Sequence, residues 1–110
     1  MQLDFKLLKN VLVVNVQGEI DMYNTDYLRS SIDNYLDQQP INRLVLNLEK
    51  VDFIDSSGLG IIIGRYKKMQ ARGGKVYIVG ANPSVEKILV FAGINKIIPL
   101  YKNEQEITDI

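Results

Sequence analysis

The sequence contains neither cysteine nor histidine. Without cysteine the chain has no disulfide framework and no thiolate that could attack a substrate or bind zinc. Without histidine it lacks the commonest zinc ligand and the side chain that most often acts as a general base near neutral pH. A Ser-His-Asp triad is therefore impossible. We predict that the protein is not an enzyme and has no catalytic residue, metal ion or cofactor.

Charge of one sign and long apolar runs are also absent. Lysine plus arginine and aspartate plus glutamate both number 13, so the net charge is zero. Nothing in this balance attracts the chain to nucleic acid or to an anionic membrane. No apolar run approaches the roughly 18 residues that would span a bilayer, and residues 1–4 do not resemble the start of a signal peptide. We predict a cytoplasmic protein that binds neither nucleic acid nor membranes.

The composition is typical of a soluble globular domain, with 46% hydrophobic and 24% charged residues among 110. Hydrophobic periodicity predicts strands at residues 3–7, 11–16, 44–48, 75–79 and 97–101. It predicts helices that start near residues 24, 56, 82 and 103, where asparagine, threonine or serine can cap a first turn. This alternation indicates one α/β domain over residues 1–110 with a mixed sheet of four to five strands.

Two faces are predicted for the helix that starts near residue 56. Its apolar face contains Leu59, Ile62, Ile63 and Tyr66. Its basic face contains Arg65, Lys68 and Arg72. Because basic side chains in the C-terminal half of a helix complement the helix dipole, we predict that the basic face is solvated.

The glycines of this helix have two possible explanations. Gly58, Gly60 and Gly64 form G-x-G-x-x-x-G, which is close to a dinucleotide-binding fingerprint. That fingerprint requires an acidic residue at the end of the next strand, and residues 79–82 contain none. We prefer the interpretation that small residues at a spacing near four let the helix lie close to the sheet.

The most informative stretch is residues 51–64, where an apolar segment leads into Asp55, Ser56 and Ser57 and then into a helical pattern. Acidic and hydroxyl side chains at such a junction accept hydrogen bonds from the free N–H groups of the first helical turn. That helix end is also partly positive, so it tolerates a phosphate. A serine here can be a cap, a nucleophile or a phosphorylation site. A nucleophile would need a lysine as its base, and no Ser-x-x-Lys element occurs here.

Asp21 and Asp55 are a candidate carboxylate pair. Two carboxylates could hold a metal, as in phosphoryl-transfer sites. No third acidic residue joins them in the sequence, because Glu49 and Asp52 precede the junction. We therefore predict a turn residue at position 21 and a hydrogen-bond acceptor at the helix entry at position 55.

Residues 46–60 and 64–68 closely resemble the anti-sigma factor antagonists, the bacterial branch of the STAS domain family. Residues 18–21, Gly-Glu-Ile-Asp, match the upstream motif of that family, and residues 92–94 match the step after its third helix. The resemblance implies a single STAS-type domain with its helices mainly on one face of the sheet. Asp-Ser-Ser followed by Gly-Arg-Tyr-Lys is most similar to the antagonist of the sporulation sigma-F pathway.

The resemblance also implies a function. In this family the serine directly after the aspartate, Ser56 here, is phosphorylated by a serine kinase that is itself the anti-sigma factor. The unphosphorylated antagonist binds this kinase of histidine-kinase-like fold and frees the sigma factor, and a PP2C-type phosphatase reverses the modification. The implied partner-binding residues are Asp21, Asp55, Ser56, Ser57 and Gly58. We expect a monomer. On physical grounds alone Ser57 remains an alternative acceptor.

Two alternatives remain open at this point. The chain could be an antagonist of the general-stress type, or a STAS module for scaffolding or ligand sensing that is never phosphorylated. It also departs from the family pattern, because Met22 and Tyr23 follow the Gly-Glu-x-Asp motif, where histidine is frequent.

Overall fold

A computed structural model describes all 110 residues, Met1–Ile110. The strands are β1 (Gln2–Leu8), β2 (Val11–Ile20), β3 (Arg43–Ile54), β4 (Lys75–Val79) and β5 (Leu100–Tyr101). The helices are α1 (Thr25–Gln38), α2 (Ser56–Ala71) and α3 (Pro83–Phe91), with short 3-10 turns at Ile94–Lys96 and Glu104–Glu106. The strands form one sheet in the order β1-β2-β3-β4-β5, in which only the β1–β2 pair is antiparallel. This confirms the predicted mixed α/β sheet.

All three helices pack on one face of the sheet. Alternate strand residues such as Leu12, Leu44 and Ile78 point to that face and form one buried core with the apolar stripes of α1, α2 and α3. The prediction of helices mainly on one face is therefore confirmed. None of the helices is both long and apolar enough to cross a membrane.

The C-terminal segment covers part of the opposite face. Ile107 is buried against Val13, Val45, Tyr77 and Val79. The hydroxyl of Tyr77 donates to Asp109 Oδ2 at 2.9 Å, and burial together with this bond raises the pKa of Tyr77 to about 12. The helix predicted near residue 103 is only the 3-10 turn, although Asn103 caps it as predicted by accepting from the N–H of Glu106 at 3.2 Å.

The last strand is shorter than predicted. Residues 97–101 were expected to be extended because they are apolar, but only Leu100–Tyr101 pair with β4. Ile98 instead donates its N–H to the carbonyl of Ile94 at 2.8 Å, and both side chains are buried in the core under α3. Apolar residues in this segment fill the core from a turn. Their hydrophobicity reflects burial, and the prediction of a strand from it was wrong for residues 97–99.

The prediction of a solvated basic face is wrong at Arg65 and Lys68, although Arg72, at the C-cap of α2, is exposed as predicted. Arg65 is among the buried residues of α2, and its Nε lies 3.1 Å from Asp33 Oδ1 on α1. Lys68 Nζ lies 2.7 Å from Asp37 Oδ1, also on α1. Burial lowers the pKa of Arg65, and the nearby Asp33 carboxylate raises it again. Arg65 and Lys68 therefore form ion pairs that link α2 to α1, because Asp33 and Asp37 lie on the side of α1 that contacts α2.

The close approach of α2 to the sheet depends on one of the three glycines, not on all of them. A Cβ at Gly58 would lie 2.6 Å from the carbonyl oxygen of Ile20, so only glycine fits there. A Cβ at Gly60 or at Gly64 would meet no atom within 4 Å. The interpretation of the three glycines as a contact stripe is therefore correct at Gly58 and wrong at the other two positions.

We expect Gly60→Ala and Gly58→Ala to change stability in opposite directions. Gly60→Ala should raise the free energy of unfolding by about 0.5–1 kcal/mol, because glycine is unfavourable inside a helix and the new methyl group meets no other atom. Gly58→Ala should lower it by about 1–3 kcal/mol, because α2 must move away from Ile20. Urea unfolding of both variants measures this, and changes of the same sign would contradict the packing described.

Candidate functional site

The candidate site lies at the edge of the sheet where β2 and β3 end. Ile20 and Ile54, the last residues of these strands, are paired in register. The N–H of Asp55 also donates to the carbonyl of Ile20 at 3.1 Å. The two strand ends therefore bring Asp21 and Asp55 close together, although they are far apart in the sequence.

Asp55 joins two elements with its two carboxylate oxygens. Its backbone is extended at the N-cap position of α2, and Oδ1 accepts from the N–H of Gly58 at 3.0 Å. Oδ2 accepts from the N–H of Met22 at 3.3 Å. The first bond confirms the predicted helix-entry acceptor. The second bond was not predicted, and it connects the start of α2 to the loop that follows β2.

Asp21 organises that loop, as a turn residue would. Its Oδ1 accepts from the N–H of Tyr23 at 3.0 Å and from the side-chain amide of Asn24 at 3.2 Å. Asn24 also donates to the carbonyl of Glu19 at 2.9 Å. Asn24 or Thr25 was predicted to cap α1. Asn24 does hold the N-cap position, but its side-chain amide donates into the loop, and the hydroxyl of Thr25 donates to the carbonyl of Met22, so neither side chain caps α1.

The two serines differ in exposure. Ser56 is the first residue of α2 and is exposed, Ser57 is half-buried, and Gly58 is buried. Ser56 is therefore accessible to solvent at the partly positive end of the helix. Of the first-turn N–H groups that a helix leaves without an intrahelical partner, the N–H of Gly58 is bonded to Asp55. An added phosphate would meet the remaining N–H groups and the neighbouring carboxylates.

All five predicted partner-binding residues are therefore together at this edge of the sheet. The groups of acidic side chains in the structure include none of three or more that could hold a metal ion. Sequence reasoning noted Met22 and Tyr23 as a departure from the family pattern but did not predict that their N–H groups bond to Asp55 and Asp21. The available signal was Asp21 itself, because aspartate in a turn often accepts from the N–H two residues later.

Comparison with known proteins gives consistent results. The family model of the STAS domain matches residues 2–107. The anti-sigma F factor antagonist of Paenibacillus polymyxa is 36% identical over 104 residues, which are 94% of this chain and 89% of that protein. The structure of the anti-sigma factor antagonist SpoIIAA in its unphosphorylated form superposes with a TM-score of 0.84 at 24% identity, covering 96% of this chain and 91% of the other.

A second solved structure has the same fold in a modified state. The Bacillus cell fate determinant SpoIIAA in its phosphorylated form superposes with a TM-score of 0.75 at 24% identity. The match covers 96% of this chain and 95% of that one. At this identity the likeness concerns the fold alone, so this fold exists in both an unphosphorylated and a phosphorylated protein.

Proposed function

Since this chain belongs to the STAS domain family and, within it, to the anti-sigma factor antagonists, we propose that phosphorylation of Ser56 switches its activity. The unphosphorylated protein binds an anti-sigma factor that is also a serine kinase, and the sigma factor is released. Phosphorylation of Ser56 ends that binding. A PP2C-type phosphatase removes the phosphate and restores the active form.

The observation that carries this proposal is the exposure of Ser56 at the first position of α2. A kinase must reach the hydroxyl of its substrate from solvent, and Ser57 is half-buried beside the buried Gly58. Exposure therefore favours Ser56 over Ser57 as the acceptor. The position also suits the product, because a phosphate at a helix N-terminus is stabilised by free N–H groups and by the helix dipole.

The physical effect of the phosphate is mainly a change of charge. A phosphoserine adds about 1.5 to 2 negative charges and three strong acceptor oxygens. The phosphate charges lie next to the carboxylate of Asp55. Asp21 adds a second carboxylate at the same edge of the sheet, because Ile20 pairs with Ile54. A partner surface that fits a neutral hydroxyl would then meet like-charge repulsion and an unfavourable desolvation of the phosphate. No rearrangement of the sheet is needed.

The neighbouring residues have supporting roles in this proposal. Asp55 fixes the start of α2 and holds Met22 in place. Asp21 shapes the loop beside the acceptor. Gly58 lets α2 begin directly against Ile20. Through these contacts Asp21, Asp55 and Gly58 present Ser56 and Ser57 to the kinase in one defined geometry.

Ser56→Ala should abolish phosphorylation and retain kinase binding. The substitution removes the only exposed hydroxyl of the junction and leaves both bonds of Asp55 in place. The matched control is Ser57→Ala, which should still gain one phosphate. Incubation with the kinase and ATP, followed by mass spectrometry of the peptides, measures both outcomes. A phosphate on Ser57 would contradict the assignment, and no phosphate on the unsubstituted protein would favour a scaffolding or ligand-sensing module.

We propose that the pathway is of the sporulation sigma-F type. The 36% identity to the anti-sigma F factor antagonist of Paenibacillus polymyxa supports this, while the anti-sigma F factor antagonist of Lysinibacillus sphaericus and the anti-sigma-B factor antagonist of Bacillus subtilis are both 28% identical. Binding to both types of kinase distinguishes this from the general-stress alternative. We further propose that residues 1–110 act as one monomeric domain in the cytoplasm, as a binding partner and substrate and not as an enzyme.

A further inference from the structure

The loop between β2 and α1 places two apolar side chains in solvent next to Ser56. The exposed fractions are 65% for Met22 and 87% for Tyr23. Neither side chain belongs to the buried core or to the residues packed against it. Side chains this exposed bury little apolar surface within the monomer, and aromatic residues and methionine are enriched at protein–protein interfaces.

Hydrogen bonds hold the backbone of this pair in a defined conformation. The N–H of Met22 donates to Asp55 Oδ2 at 3.3 Å, and the N–H of Tyr23 donates to Asp21 Oδ1 at 3.0 Å. The hydroxyl of Thr25 donates to the carbonyl of Met22 at 3.4 Å. An ordered loop loses little conformational entropy when a partner binds it. The backbone that carries the exposed pair is therefore ordered before any partner arrives.

The same carboxylate positions this pair and the phosphoacceptor. Asp55 bonds to the N–H of Met22 with one oxygen and to the first turn of α2 with the other. A partner that reaches the hydroxyl of Ser56 therefore approaches the loop that carries Met22 and Tyr23. Tyr27, in the first turn of α1, is also exposed, at 53%.

We propose that Met22 and Tyr23 form an apolar anchor that inserts into a pocket of the anti-sigma factor kinase and aligns its active site with Ser56. This inference rests on the proposed function, because the kinase is the partner that must approach Ser56. A large aromatic side chain that fills a pocket near the centre of an interface provides much of the binding energy. The anchor supplies affinity that does not depend on the charge of Ser56, and phosphorylation then acts on a separate contact beside it.

Phe91 provides a matched control. It is 93% exposed, more than Tyr23, and it is equally apolar at its ring. It is the last residue of α3, which starts at the same edge of the sheet as the site and runs back from it. An effect of general surface hydrophobicity would change kinase binding equally for both residues. If the anchor lies next to Ser56, a substitution at Tyr23 should weaken kinase binding and one at Phe91 should not.

The test uses the full chain and the purified anti-sigma factor kinase of the organism from which this protein comes. Binding is measured by isothermal titration calorimetry. Tyr23→Ser should weaken binding by about 30-fold, the size expected for an interface hot spot. Phe91→Ser should change it by less than about threefold, and Tyr23→Phe should retain most of the affinity. Neither serine variant should alter the melting temperature appreciably, since both side chains are exposed. In phosphorylation assays Tyr23→Ser should raise KM more than it lowers kcat.

Equal effects of Tyr23→Ser and Phe91→Ser, or a Tyr23→Ser variant that binds as well as the unsubstituted protein, would overturn the anchor. A different result would show that the proposed function itself is wrong. In that case the unsubstituted protein would neither bind the kinase nor gain a phosphate, and the anchor would be refuted with it. If the unsubstituted protein is phosphorylated on Ser56 and Tyr23→Ser binds normally, only the anchor is wrong.

Discussion

Phosphorylated on Ser56, the protein should bind its kinase at least about two decades more weakly than the unmodified protein, a change of roughly 3 kcal/mol. Its melting temperature should nevertheless stay within about 5 °C of the unmodified value. The affinity should fall while the melting temperature hardly changes, because Ser56 is exposed at the start of α2 and not packed in the core. The phosphate changes what a partner meets, and it disturbs no buried contact.

Two opposing effects keep the fold stable after phosphorylation. Free N–H groups and the dipole at the start of α2 stabilise the phosphate by about 0.3 to 2 kcal/mol. Repulsion from Asp55 and Asp21 opposes this, and salt screens it. Calorimetric binding and thermal unfolding of both forms measure the two quantities. Ser56→Glu should reproduce only part of the loss of affinity, because it carries less charge and fewer acceptor oxygens. A phosphoprotein that melts about 10 °C lower or more would indicate broken packing and contradict the charge switch.

Asp33→Ala should destabilise the protein by about 3 kcal/mol, because it leaves the Arg65 guanidinium buried without its carboxylate. The side chains of Arg65 and Asp33 are 10% and 19% exposed, so little water can replace the lost partner. For a domain of this size, the corresponding fall in melting temperature is roughly 10–20 °C. Urea unfolding and thermal unfolding provide two measurements of the same change.

Asp26→Ala is the matched control on the same helix. Asp26 lies 3.1 Å from Arg29, but its side chain is 94% exposed, so its loss should have little measurable effect on stability. Replacing both buried charges, as in Asp33→Leu with Arg65→Met, should recover much of the stability lost in Asp33→Ala. If Asp33→Ala proves as mild as Asp26→Ala, the contact between α1 and α2 does not depend on this ion pair.

The local signals in the sequence predict much of the fold. Alternation at Leu44, Leu46 and Leu48 indicates the buried half of β3, and the polar residues after Ile54 indicate the start of α2. The second half of β3 was missed. Glu49 and Lys50 interrupt the alternation at the place where the pairing with β2 shifts its register. Such a shift depends on both strands, so neither strand shows it alone.

Contacts between distant elements were the least predictable. The charge of Arg65 suggested a solvated face, and only the packing of α1 beside α2 shows that Asp33 faces it. The bond from Met22 to Asp55 spans 33 positions in the sequence and exists because Ile20 pairs with Ile54. The sequence could indicate that Asp55 caps a helix, because that contact is local. It could not indicate that the second oxygen of Asp55 orders another loop.

The role of Ser56 as a charge switch is tested most directly by sigma factor release in a purified system. A complex of the kinase with its sigma factor is mixed with unmodified protein, with Ser56→Ala, or with protein already phosphorylated by the kinase and ATP. Unmodified protein and Ser56→Ala should release the sigma factor, and the phosphoprotein should release almost none at the same concentration. Equal release by the phosphorylated and unmodified proteins would contradict the proposed switch.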